Sequence, residues 1–139
     1  VNNYRVRVYF EDTDCGQIVY HTNYIKYCER ARSEIFFAHD MQPFMDTSGF
    51  VLKHLQADFI SSARLGDLLE VRSYVDTLKN ASVSIHQEIY RIYNAKEQAA
   101  CEDLVFKACI TLAFIDVAQA KPCKIPPFMR EILSALQAK

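Results

Sequence analysis

At 139 residues, half of them apolar, the chain is the size of one compact domain with its own core, so a single domain over residues 1–139 is expected. Acidic and basic residues nearly cancel to a net charge of -1, which excludes a protein built mainly to hold a polyanion such as DNA. No apolar run approaches the ~20 residues needed to cross a bilayer and no charged-then-apolar signal segment opens the chain, so a cytoplasmic protein is expected.

In chain order, residues 4–11 alternate in part and predict a strand. Asp12 to Gly16 reads as a loop, with Gly16 free to take a positive φ. A helix follows over about residues 23–39, because Tyr24, Tyr27, Cys28, Ala31, Ile35 and Ala38 fall at three- and four-residue steps on one apolar stripe. Lys26, Glu29, Arg30, Ser33 and Glu34 lie off that stripe, and the run Glu29 to Glu34 reads as an exposed helix face with i,i+4 pairing. Thr22 or Asn23 can cap the helix start.

Most of the remainder reads as strand. Leu55, Ala57 and Phe59 alternate with polar residues, a turn follows around Arg64 to Asp67, and Leu69, Val71 and Val75 alternate again. Lys79-Asn80 is a hairpin turn, residues 83–90 alternate, Asn94 to Gln98 is a second hairpin loop, and residues 106–114 form the longest alternating run. Pro126 to Leu136 reads as a short helix with Pro in its first turn. Strands joined by short turns pair antiparallel, and the long helix must cover one face of the sheet to bury its stripe, which predicts an α+β fold.

The five cysteines (Cys15, Cys28, Cys101, Cys109, Cys123) are odd in number and contain no C-x-x-C pair. Reduced, mostly buried thiols are expected, with neither a disulfide framework nor a metal site.

The densest polar cluster, Glu11 to Asn23, joins a strand end to a helix start. A helix N-terminus offers unpaired N–H groups and the positive end of a dipole, which together hold an oxyanion or keep a carboxylate ionised. A carboxylate beside such donors can hydrolyse an ester or thioester. An EF-hand loop does not fit, since Gly16 comes one position early and no acid follows at the required place. A D-x-D-x-[TV] phosphatase needs an alternating βα chain that is missing, and Cys15 with His21 is a weaker nucleophile pair. In an arbitrary Asp-rich turn, Asp12, Thr13 and Asp14 would serve only as turn and cap residues.

The stretch Glu11-Asp-Thr-Asp-Cys-Gly-Gln-Ile-Val-Tyr-His-Thr-Asn-Tyr-Ile-Lys-Tyr-Cys-Glu-Arg-Ala-Arg32 closely resembles the signature of the YbgC-like acyl-CoA thioesterases, in the 4-hydroxybenzoyl-CoA thioesterase family of hotdog proteins. Residues 57–71 also resemble the strand–turn–strand region of that family, except that Ser62 stands where the family often has Pro. The resemblance implies a hotdog fold, an antiparallel sheet wrapped around a long central helix, and hydrolysis of acyl-CoA with no separate cofactor. It implies that Asp14 is catalytic, as general base or as nucleophile, and that the backbone N–H of His21 polarises the thioester carbonyl. The His21 side chain either aids catalysis or bonds structurally. Tyr20 and Asn23 would shape the pocket, and Tyr27 would join either the pocket or the core. Ser62, Arg64, Lys79 and Arg91 are candidates for the CoA phosphates, with solvated turns as the alternative. Phe36, Phe37 and Phe59 would set acyl length. The resemblance further implies a homodimer or a dimer of dimers with active sites between subunits, and acyl carrier protein as a possible partner. A hotdog dehydratase is disfavoured, because no His-Phe-Pro-Gly segment occurs; a non-catalytic module binding acyl thioesters or a protein partner is the rival from another class.

Overall fold

A computed structural model describes residues 3–137. The elements run β1 (Asn3–Arg7), α1 (His21–Phe37), β2 (Phe44–Met45), β3 (Ser48–Phe59), β4 (Leu68–Leu78), β5 (Ser82–Asn94), β6 (Ala99–Asp116), β7 (Lys121–Pro122) and α2 (Pro127–Ser134), with a 3-10 turn at Phe10–Asp12. The strands form one antiparallel sheet in the order β1-β4-β5-β6-β3-β2, and β7 pairs with the end of β6. This is the expected α+β arrangement.

The inner face of the sheet follows the alternation read from the sequence. Val71 pairs with Ile89, Val75 with Ile85, Ile85 with Ile110 and Ile89 with Phe106, and all are buried. The stripe of α1 lies on this face, burying Tyr24, Tyr27, Cys28, Ala31, Ile35 and Phe36. Ala38 is exposed instead, because the helix ends at Phe37, two residues short of the predicted His39. The helix packs chiefly on β1 and β4 and leaves the inner face of β3 less covered. One polar group sits in this core. Gln87 is fully buried, and its amide donates to the Cys28 carbonyl at 3.0 Å and to Ser73 Oγ at 2.9 Å, so helix and sheet are joined by satisfied hydrogen bonds.

Three expectations change. The first strand stops at Arg7, since Asp12 Oδ2 accepts the Tyr9 N–H at 2.9 Å and folds the chain into the 3-10 turn. β3 and β4 do not pair across the 60–67 connection; β3 pairs with β6 from Ser48 to Phe59, so the connection carries the chain from one side of the sheet to the other. The two-residue strands β2 and β7 were not expected, being too short to show an alternation.

That crossing connection is rigid. Gly66 takes φ +89, and a Cβ there would lie 2.9 Å from Ala95 Cβ, so this turn requires glycine. Asp67 is only 1% exposed. Its carboxylate accepts N–H groups from Arg64 at 2.9 Å and Ala95 at 2.9 Å, and Nη1 of Arg91 at 3.4 Å. Asp67→Ala would leave Arg91 and two amides without that acceptor, and stability is expected to fall by about 3 kcal/mol. A urea midpoint lowered at unchanged slope would report this loss.

Candidate active site

Residues 12–20 form a tight hairpin that feeds directly into α1. Tyr20 N–H donates to the Asp12 carbonyl at 3.0 Å, Thr13 pairs with Val19, and Asp14 N–H donates to the Ile18 carbonyl at 3.0 Å. The positive φ at the tip falls on Gln17, at 61°, and not on Gly16 as expected. The second arm is gripped from its other side by the crossing connection: Val19 N–H donates to Ala63 O at 2.9 Å and Leu65 N–H to Gln17 O at 3.3 Å. Tyr24 completes the clamp from the helix, its hydroxyl accepting the Ala63 N–H at 3.0 Å.

Asp14 closes the tip of this hairpin opposite Ile18 and is exposed. Its Oδ1 accepts the Gly16 N–H at 2.9 Å, an Asx turn that fixes the carboxylate, while Oδ2 meets no donor among the described residues. Asp14 stands two residues from the register of Tyr20, roughly 7 Å along the hairpin.

The helix starts at His21, with Tyr20 as its N-cap and no side chain capping it. The expected caps therefore move: Thr22 and Asn23 lie inside the first turn. Asn23 anchors it, its Nδ2 donating to the Asp12 carbonyl at 2.8 Å and its N–H to Tyr20 O at 2.8 Å. The N–H groups of His21 and Thr22 meet no acceptor among the described residues, so the positive end of the helix is open to a ligand. Aromatic rings surround it. The His21 ring lies 4.7 Å from the Tyr20 ring and 6.0 Å, edge-on, from Phe59, and Tyr20 and Phe59 are about half exposed. Phe59 thus stands at the helix start. Phe36 is buried against Phe50, and Phe37 is exposed at the other end of α1. Tyr27 belongs to the core: its buried hydroxyl has no hydrogen-bond partner, and burial and then the nearby Asp12 carboxylate raise its pKa.

The four candidate phosphate contacts separate. Arg91 is committed, its guanidinium donating to Asp67, to Asp103 at 3.2 Å and to the Ser62 carbonyl at 3.1 Å. Ser62 is exposed, with its carbonyl taken by Arg91. Lys79 lies at the far end of β4 from Arg64, a strand length of roughly 30 Å away. Arg64 remains at the site, and beside it stands a residue the sequence reading missed, Lys96. These two cations, with Gln17, Leu65 and Ala95, line a cleft of about 320 Å³ next to the Asp14 hairpin, and neither cation has an acidic partner among the described residues. Lys96 lies in the β5–β6 loop, and only the tertiary fold brings it to Arg64. No group of three His, Cys, Asp or Glu residues among the described ones is placed to hold a metal ion.

The site thus brings together open donors at a helix start, a carboxylate fixed by an Asx turn, and a cleft lined by two cations. Residues 16–96 match the family profile described as thioesterase superfamily, and the chain belongs to that family. The chain is 42% identical over 132 residues to an acyl-CoA thioesterase YbgC of Helicobacter pylori, covering 95% of this chain and 99% of that protein. It is 34% identical to the acyl-CoA thioester hydrolase YbgC of Escherichia coli, over 87% of each chain. The fold matches the crystal structure of the dynemicin thioesterase with a TM-score of 0.87 at 21% identity, over 99% of this chain and 98% of that one. The hotdog fold expected from the resemblance is therefore present, and within the superfamily the chain falls with the YbgC acyl-CoA thioesterases.

The cysteines at and behind the site differ sharply. The expectation of mostly buried thiols holds only for Cys28, which is fully buried with its thiol pushed up to about 12 by burial; Cys15 is exposed beside Asp14, and Cys101, Cys109 and Cys123 are half-buried. A maleimide at about pH 7 is expected to label Cys15 within minutes and Cys28 only after denaturation. Peptide mapping of the labelled native protein checks the order.

Proposed function

We propose that this chain hydrolyses acyl-CoA to free acid and CoA, with Asp14 as the catalytic carboxylate and the His21 N–H as the oxyanion donor. The observation that carries the reading is the open helix start: two unpartnered N–H groups lie next to a hairpin that fixes Asp14. The thioester oxygen would sit against His21 N–H, where the helix dipole and the donor stabilise the tetrahedral oxyanion by about 3 kcal/mol. Asp14 acts through its free Oδ2, either drawing a proton from the water that attacks the carbonyl, so that the tetrahedral intermediate expels the CoA thiolate, or attacking the carbonyl itself to expel the thiolate and form a mixed anhydride that water then hydrolyses. Placement of the carboxylate against the carbonyl supplies much of the rate. The Tyr20, His21 and Phe59 rings would exclude bulk water from one side of the carbonyl.

Arg64 and Lys96 would hold the CoA phosphates. Only the edge of β3 at Ser48–Gly49 is covered by β2, and Phe50 to Phe59 has no second strand beside it among the described residues. A second copy pairing along that edge would make the dimer that the resemblance implies and would satisfy an otherwise open sheet edge. A cytoplasmic enzyme acting on free acyl-CoA fits this arrangement, with acyl carrier protein as an alternative carrier.

The test is thiol release from acyl-CoAs of graded chain length by wild type and Asp14→Asn. Turnover by the wild type should fall at least ~100-fold in the variant at unchanged melting temperature. Turnover untouched by the substitution, or absent on every substrate, would favour a non-catalytic binding module. Replacing Arg64 and Lys96 by Ala should raise KM for acyl-CoA by about 10-fold and leave hydrolysis of acyl-pantetheine, which lacks the nucleotide phosphates, nearly unchanged.

A further inference from the structure

A groove of about 600 Å³ runs along the flank of α1 that faces β3. Ile25 and Phe36 of the helix, Phe44, Phe50, Leu52 and Leu112 form its apolar wall. It begins one turn beyond His21, on the part of the inner sheet face that the helix leaves less covered. Lys26, Glu29 and Arg32 give its lining a surplus of one positive charge.

Arg32 is the unusual member of that lining. In the sequence it belongs to a run that reads as an exposed face, yet its Nη1 is turned inward and donates to Gln87 Oε1 at 3.0 Å. Both donors of the Gln87 amide are taken by Cys28 and Ser73, so its oxygen is held toward Arg32 and the guanidinium is anchored from below. Among the described residues no carboxylate pairs with Arg32, and Glu29 is engaged by Ser33 Oγ at 2.8 Å. Arg32 hydrogen-bonds only to a neutral amide and Glu29 acts on it without an ion pair, so in this part-buried, apolar-walled groove the cation is incompletely compensated, and an anion entering the groove would supply what is missing. Burial accordingly pulls the Arg32 pKa below its ordinary value. Arg32 lies roughly 16 Å beyond His21 along the helix axis, and helical side chains lean back toward the N-terminus. A ligand with its carbonyl at His21 could therefore reach the guanidinium with a medium-length chain.

We propose that this groove takes the acyl chain and that Arg32 makes the enzyme select acyl groups ending in a carboxylate, as in a medium-length ω-carboxyacyl thioester. The inference rests on the thioesterase reading above and adds the class of acyl group. The apolar wall covers the methylene chain, and the guanidinium pairs with the terminal carboxylate through donors that Gln87 does not use.

The experiment compares octanoyl-CoA with its ω-carboxy counterpart of equal chain length, in wild type, Arg32→Gln and Arg32→Lys. Wild type should favour the carboxylated substrate by at least ~10-fold in kcat/KM. Arg32→Gln should erase that preference chiefly through KM, and Arg32→Lys should retain part of it. No wild-type preference, or an equal loss on both substrates in Arg32→Gln, would overturn the inference. An equal loss accompanied by a smaller mass in sedimentation would assign Arg32 to a contact between copies instead. Should Arg32→Gln fail to fold, the wild-type ratio decides, together with competition by free octanedioate against octanoate. Hydrolysis of octanoyl-CoA without gain from the carboxylate removes this inference alone; no hydrolysis of either substrate removes the thioesterase reading with it.

Discussion

Asp12 ties the site to the fold. Its carbonyl accepts both the Tyr20 N–H and the Asn23 side-chain amide, and its carboxylate accepts the Tyr9 N–H. One residue thus closes the 3-10 turn, sets the hairpin register that places Asp14, and anchors the first turn of α1. Because the anchor is a backbone carbonyl held by Asn23, no side chain folds over the first helical donors. A Ser or Asp cap would accept the N2 or N3 N–H groups, so its absence leaves the front of the helix free for substrate.

The surrounding structure keeps that arrangement from relaxing. The hairpin arm at 17–19 lies between residues 12–14 and the crossing connection at 63–65, and that connection is held by buried Asp67, by Arg91 and by the Tyr24 hydroxyl. Behind it, the Gln87 amide fixes α1 to the sheet at mid-length. The price is a rigid, polar-stitched region around an open front, with exposed aromatic rings that a substrate or second copy would cover.

Much of this architecture was legible in the sequence because burial leaves a period. The apolar stripe of α1 and the alternation of β4, β5 and β6 both record which face meets the core. The errors fall where no period exists. The helix start was displaced because Thr22 and Asn23 look like caps, whereas the real anchor is a carbonyl eleven positions before Asn23 in the chain. The crossing between β3 and β4 reads as an ordinary turn, since sequence spacing does not say which strand lies beside which. Arg91 looked free for phosphate until its pairing with Asp67 and Asp103 appeared, and Lys96 was overlooked because its neighbour Arg64 is distant in sequence. Arg32 lies in a run of charges, and only the position of Gln87 turns it inward. Asp14 and His21 came from a family resemblance and not from any periodicity.

Whether the helix start polarises the thioester carbonyl can be read by difference infrared spectroscopy of a bound, non-hydrolysable ketone analogue of acyl-CoA, carbon-13 labelled at the carbonyl. Donation from the His21 N–H predicts a carbonyl stretch at lower frequency than in water, retained in Asp14→Asn because the donor is backbone. A bound carbonyl at its aqueous frequency or higher would contradict the account and leave the open helix end without a catalytic role.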